Sequence, residues 1–188
     1  LSTASYNTFS YGTNIDFTIP LSEYNSIAFG ATLDLTDIEL GANATQDYIE
    51  YCRSISGSTT ATDCNSDSLS ISASYGKDTR NNAQFPTAGQ VFRTTAQVGL
   101  PVFDMNYYIL SGKAEKYWPI DGGMSFNLKG TVGLADAYGD KKFPFFKNFF
   151  MGGATTIRGY DQASVGEKTL NIATGELETT GGKTSLLG

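Results

Sequence analysis

Residues 9–19 read FSYGTNIDFTI. The odd positions are Phe9, Tyr11, Thr13, Ile15, Phe17 and Ile19, and the even ones are Ser10, Gly12, Asn14, Asp16 and Thr18. A two-residue period puts apolar side chains on one face of an extended strand and polar ones on the other. The pattern recurs at once: Ile27, Phe29, Ala31, Leu33 and Leu35 alternate with Ser26, Ala28, Gly30, Thr32, Asp34 and Thr36. Residues 69–77 set Leu69, Ile71, Ala73 and Tyr75 against Ser70, Ser72, Ser74 and Gly76. Residues 91–102, 108–118 and 124–138 continue it, with Phe92, Ala96 and Val98 opposite Arg93, Thr95 and Gln97, Tyr108 and Leu110 opposite Ser111 and Lys113, and Met124, Phe126 and Leu128 opposite Ser125, Asn127 and Lys129. A further strand is expected to begin near Lys183.

Alternation of this kind fits a soluble antiparallel sandwich with its apolar face inward, or an outer-membrane barrel with that face outward. The polar face, holding Asp16, Asp34, Arg93, Lys113, Glu115 and Lys129 among small polar residues, suits a wetted lumen or the outside of a sandwich. Strand length favours the barrel. Runs of about 11 residues, tilted ~40°, nearly span the ~25 Å apolar band of an outer membrane, whereas ordinary strands average about 5 to 6 residues. Loop lengths agree: the connections 20–25, 79–89 and 119–123 are short or moderate, while two on the other side, 38–67 and 139–182, are long and 101–106 is short. Phe9, Tyr11, Tyr24, Phe103, Tyr107, Tyr108, Tyr117, Trp118 and Tyr138 fall near strand ends, as interfacial girdle residues do. Lys116 and Asp136 interrupt the apolar face, also near strand ends, where a lipid-facing charge costs about 0 to 1 kcal/mol.

Composition narrows the chemistry. The 188 residues carry a net charge of −6 and are only 17% charged, the wrong balance for a nucleic-acid partner. With no His, a Ser-His-Asp triad and a His-bound zinc site are excluded, and neither an enzyme activity, a cofactor nor a metal is expected. Hydrophobic residues make up 40% of the chain at a mean hydropathy of −0.21, and no apolar run approaches the ~18 residues of a membrane helix. No charged-then-apolar leader opens the chain, so any signal peptide is expected outside this segment. Cys52 and Cys64 flank a Ser/Thr-rich stretch in which free thiols would gain nothing from burial. A disulfide is expected, implying an oxidising compartment and contributing about 3 kcal/mol in the chain-entropy model.

The stretch GDKKFPFFKNFFMGGATTIRGYDQASVGEK, in the long 139–182 connection, places five Phe between Phe143 and Phe150, followed by Gly152-Gly153 and Ile157-Arg158-Gly159-Tyr160. So many phenylalanines exposed to water would form a large apolar patch, so the loop is expected to fold inward. Here the chain resembles the BamA family, which folds and inserts β-barrel proteins into bacterial outer membranes. Ile157-Arg158-Gly159-Tyr160 resembles the family's Val/Ile-Arg-Gly-Phe/Tyr motif in the sixth extracellular loop, and Phe145, Phe149, Gly152 and Gly153 lie in the usual approach to it. YGTNIDFTIPLSEYNS is similar to the family's sixth strand, third periplasmic turn and seventh strand, and Phe85-Pro86-Thr87-Ala88-Gly89 to the turn before its ninth.

The resemblance implies an all-β antiparallel transmembrane barrel, of which residues 1–188 form a part of about six to seven strands, with extracellular loops at 38–67 and 139–182. An open edge cannot sit unpaired in lipid, so the missing strands and the family's periplasmic domains are expected outside this chain. It implies non-enzymatic assembly in the bacterial outer membrane, with lipids, nascent barrel proteins and assembly-machine lipoproteins as partners. It also implies that Arg158 tethers its loop to an acidic residue on the inner wall, on a strand beyond Gly188. Related protein-translocating barrels of the two-partner secretion or TamA-like kind share the Arg-Gly-Tyr loop, and a passive porin would satisfy the strand pattern alone.

Overall fold

The computed structural model describes residues 6–57, 63–154, 156–171 and 174–187. Its strands are β1 (Tyr6–Pro20), β2 (Asn25–Leu40), β3 (Asp63–Asn65), β4 (Ser68–Asp78), β5 (Gly89–Gly99), β6 (Tyr107–Ile120), β7 (Met124–Ala137), β8 (Lys168–Leu170), β9 (Leu177–Thr179) and β10 (Thr184–Leu187). One helix, α1 (Gln46–Ser56), lies between β2 and β3. An 8-stranded antiparallel sheet runs β1-β2-β4-β5-β6-β7-β10, with β3 also paired to β2, and β8 and β9 form a separate hairpin. β1 and β10 end the sheet, which is therefore an open section of barrel wall.

Register keeps each face chemically uniform. Phe17 opposes Phe29, Ile15 opposes Ala31 and Thr13 opposes Leu33 across β1 and β2, while Trp118 opposes Phe126 and Leu110 opposes Leu134 across β6 and β7. A slip of one residue would carry every one of these side chains to the other face. The apolar face is bare: Phe17 is 70% exposed, Ile15 64% and Leu128 57%. Both buried clusters lie on the opposite, inner face. A sandwich would bury its apolar face, so this is the barrel arrangement.

The strands are longer than the apolar alternation alone indicates. β2 has 16 residues, which at ~3.3 Å each and a ~40° tilt rise about 40 Å, well beyond a ~25 Å apolar band. The surplus stands at the end carrying the long connections, and there the polarity of the two faces inverts. On β2 the outer face passes from Leu33 and Leu35 to Asp37 and Glu39, while the inner face passes from Asp34 and Thr36 to Ile38 and Leu40. On β7 the outer series ends in Asp136, paired to Lys183 at 2.6 Å, and the inner one in Ala135 and Ala137. The inner face is thus wetted only over part of its height.

Two segments cover the apolar inner rim. Residues 38–67, expected as a loop, contain the end of β2, helix α1 and β3. The helix buries Tyr48, Tyr51 and Cys52, spaced three and four apart on one side, against Ile38, Cys64 and Phe145. The other segment is the Phe-rich part of the 139–182 connection, which covers Tyr107, Ala135 and Met105.

Candidate functional site

The inward-folded connection between β7 and β10 is the most elaborated part of the inner face. Pro144, with φ −62°, leads into a single 3-10 turn at Phe145–Lys147. That turn drives Phe145 between the wall and α1: its ring centroid lies 4.8 Å from Tyr6, 4.2 Å from Tyr48, 5.4 Å from Tyr51 and 5.5 Å from Phe146. Phe143 meets Tyr107 edge-on at 6.3 Å. Phe149 lies over Gly133 on the inner side of β7, where a Cβ would sit 2.6 Å from the ring, so this strand position must be glycine for the loop to close down.

Backbone pairing fixes the base of the loop. The Phe149 amide donates to the Gly182 carbonyl (2.8 Å) and the Gly182 amide to the Phe149 carbonyl (2.9 Å). The Met151 and Val165 amides and carbonyls exchange hydrogen bonds in the same manner at 3.3 and 2.9 Å. Asn148 adds a side-chain bond from Nδ2 to the Thr180 carbonyl (2.7 Å). Beyond this ladder Gly152 and Gly153 take φ of 114° and 96°, and Thr156 Oγ1 both accepts from the Gly152 amide and donates to its carbonyl. The Gly153 amide donates to the Tyr160 carbonyl at 3.0 Å.

At the tip, the Tyr160 amide donates to the Ile157 carbonyl (3.3 Å), closing a four-residue turn around Arg158 and Gly159. Gly159 has φ 98°, a value that L side chains rarely adopt, which accounts for glycine beside the arginine. Arg158 and Tyr160 are exposed and Ile157 is half-buried. Among the described residues Arg158 has neither an ion-pair nor a hydrogen-bond partner. The structure therefore brings Phe145 and Phe149 onto the wall, while Arg158 and Tyr160 of the turn are exposed.

One contact the sequence reading missed is Lys147. Its Nζ lies 3.6 Å from Asp34 Oδ2 on the inner face of β2 and over the Tyr107 ring at 5.0 Å from the centroid. A cation held between a carboxylate and an aromatic face links the loop to β2 and β6 at once. No local pattern signals this pair, whose members stand far apart in sequence.

Helix α1 is joined to the same loop. Lys142 Nζ binds Glu50 at 2.5 Å and holds its carboxyl below the ordinary glutamate range. Thr169 donates to Asp47, and Asn171 Nδ2 to the Asn43 carbonyl at 2.6 Å. Burial, reinforced by the nearby Tyr6 and Glu178, pushes the Tyr48 hydroxyl up to about 12, and burial raises Tyr51 as well. Cys52 on α1 and Cys64 on β3 are disulfide-bonded, with Cα atoms 5.4 Å apart, and both lie in the buried cluster. Among the described residues no cluster of His, Cys, Asp or Glu has the makings of a metal site.

The chemistry on offer is mechanical: a loop seated by aromatic packing and carrying an exposed arginine. A model of the Omp85 superfamily domain matches residues 2–187. Over 166 residues the chain is 28% identical to the outer membrane protein assembly factor BamA of Neisseria meningitidis serogroup B, a match covering 87% of this chain and 21% of that protein. The chain thus spans about a fifth of the length of this curated relative. The crystal structure of BamA from Haemophilus ducreyi lacking POTRA domains 1–3 shares the fold, with a TM-score of 0.86 at 21% identity over 96% of this chain and 36% of that one. Matched along almost its whole length, the chain belongs to the Omp85 superfamily as a section of its transmembrane β-barrel.

Proposed function

We propose that the protein containing this chain is an outer-membrane protein assembly factor, which folds and inserts β-barrel proteins into the bacterial outer membrane without covalent chemistry. In this reading the end bearing the long connections is extracellular and the short turns at 21–24, 79–88 and 121–123 are periplasmic. The partners are membrane lipids, nascent barrel chains and, through domains outside this chain, assembly-machine lipoproteins.

The observation that carries the reading is the division of the 139–182 loop into a seated base and an exposed tip. Phe143, Phe145 and Phe149 fix the base on the inner wall, and Arg158, in the turn at Ile157–Tyr160, is exposed and has no ion-pair partner among the described residues. An unpaired guanidinium in a confined lumen is costly, and a carboxylate matches its fork of donors. Arg158 therefore tethers the tip to an acidic residue on a strand outside this chain. A passive porin is less well supported, because the loop and α1 pack over the inner rim of these strands.

The test is Arg158→Ala in the full-length protein, read by growth complementation and by heat-modifiability on gels. Impaired growth with a barrel that unfolds at lower temperature is expected. Wild-type behaviour in both removes Arg158 from the mechanism.

A further inference from the structure

The outer face carries a feature that loop tethering does not use. Close to the short-turn end, a groove of about 600 Å³ crosses β5, β6 and β7 on the hydrocarbon side. Register explains it: Phe92 opposes Ala114, which opposes Gly130, so two small residues follow one another across the sheet and leave a depression between Phe92, Leu128 and Trp118. β5 and β6, which form the floor and one wall, are paired on both sides along the groove, while β10 pairs with β7 at Thr131–Leu134, just beyond Gly130.

Two lysines flank it. Lys77 on β4, opposite Phe92, and Lys116 on β6 both occupy positions in the outward series, with backbones about 12 Å apart: two strand spacings across and two residues along. Lys116 Nζ lies 5.1 Å from the centre of the Trp118 ring, toward the short-turn end, as a lysine does when its stem lies along apolar surface and its charge seeks the interface. Among the described residues neither lysine has an ion-pair partner. At the opposite end the outer face carries Asp37, Glu39 and Asp136 instead. Outward-facing positive charge in these strands is thus concentrated beside the groove.

We propose that this groove binds an anionic phospholipid of the periplasmic leaflet, its phosphate between Lys77 and Lys116 and one acyl chain over Ala114 and Gly130. The assignment of leaflet rests on the orientation proposed above. Two unpaired cations at a low-dielectric boundary select an anionic headgroup, and the dent removes the steric obstacle to a chain lying close against the sheet.

Native mass spectrometry of the full-length protein, released from micelles holding equal dioleoylphosphatidylglycerol and dioleoylphosphatidylcholine, tests the site. Wild type is expected to retain phosphatidylglycerol, the anionic lipid, preferentially, and Lys77→Gln with Lys116→Gln to reduce that preference by about thirtyfold. Lys77→Arg with Lys116→Arg keeps the charge and is expected to keep the preference. Ala114→Leu leaves both cations but fills the floor, and is expected to lower retention several-fold. Absence of preference in wild type, or an undiminished preference in the Gln pair or in Ala114→Leu, overturns the proposal. Because micelles have no leaflets, an error in orientation would appear only in cells, as failure of whole-cell labelling of a cysteine introduced at Lys141, an exposed position at the long-connection end.

Discussion

Phe145→Ala should release α1 and the long loop together while leaving the sheet intact. The side chain is 5% exposed and sits among Tyr6, Tyr48, Tyr51 and Phe146. Truncating a buried Phe to Ala typically costs about 3–5 kcal/mol, because the transfer energy is lost and a cavity remains. A loss of about 4 kcal/mol raises the undocked population roughly a thousandfold. The strands hold one another through their own ladders, so the damage should stay on the inner rim. Hydrogen exchange on the full-length protein should show residues 46–56 and 143–151 losing protection in parallel, with β4 and β5 unchanged. Phe85→Ala, at a position 79% exposed in the 79–88 turn, is the control and should change nothing. If Phe145→Ala leaves α1 fully protected, the aromatic seat does not hold the two segments together and the mechanical reading of the loop fails.

Lys147→Met should loosen the same loop more mildly. At 3.6 Å the raw attraction to Asp34 is about 5 kcal/mol at an effective dielectric of ~20, but desolvation and partial exposure leave about 1 kcal/mol; a double-mutant cycle with Asp34→Asn showing no coupling would refute the pair. Replacing Cys52 and Cys64 by Ser should cost about 3 kcal/mol locally, seen as easier proteolysis between residues 46 and 67; equal resistance in oxidised and reduced protein would contradict it. The pH dependence has a definite sign. Burial raises the hydroxyl of Tyr48 to about 12 from an ordinary 10, so its contribution is complete below pH 10 and is lost as pH rises from 10 to 12. Near-ultraviolet dichroism of the rim should fade in that window in wild type and shift in Tyr48→Phe; fading at lower pH would assign it to another group.

The strands were legible because lipid on one side and water on the other impose an unbroken period of two. Residues 124–138, for instance, mark β7 (Met124–Ala137) to within a residue at its end. Legibility failed where the surroundings change. Above the apolar band, Ile38 and Leu40 face inward and Asp37 and Glu39 outward, so a reading tuned to greasy-outward faces stops short and assigns the rest to a loop. Helix α1 was missed for a related reason: its signal is the spacing of Tyr48, Tyr51, Cys52 and Ile55, with Gly57 capping at φ 65°, a period of 3.6 within a polar stretch. The Phe cluster was legible as an inward-facing body, but not its seat, because Tyr6, Tyr48 and Tyr107 come from elements far apart in sequence. Lys147 with Asp34 has the same character.

The division of the loop into base and tip bears on how strongly Arg158 acts in the proposed tether. A guanidinium near the middle of a freely moving excursion as long as residues 139–182 would have to order much of that chain on meeting its carboxylate, at an entropy cost that offsets the ion pair. Here the ordering precedes the contact. Phe149 with Gly182 and Met151 with Val165 close the base, and Gly153 with Tyr160 and Ile157 with Tyr160 close the tip. What remains to be fixed is one side chain on a preformed turn, so most of the favourable energy of the charge pair survives as a force between the loop and the far wall. It follows that weakening the base should weaken the tether without touching Arg158. In the full-length protein, Phe145→Ala and Arg158→Ala should therefore be less than additive in heat-modifiability, and strict additivity would show that base and tip act independently.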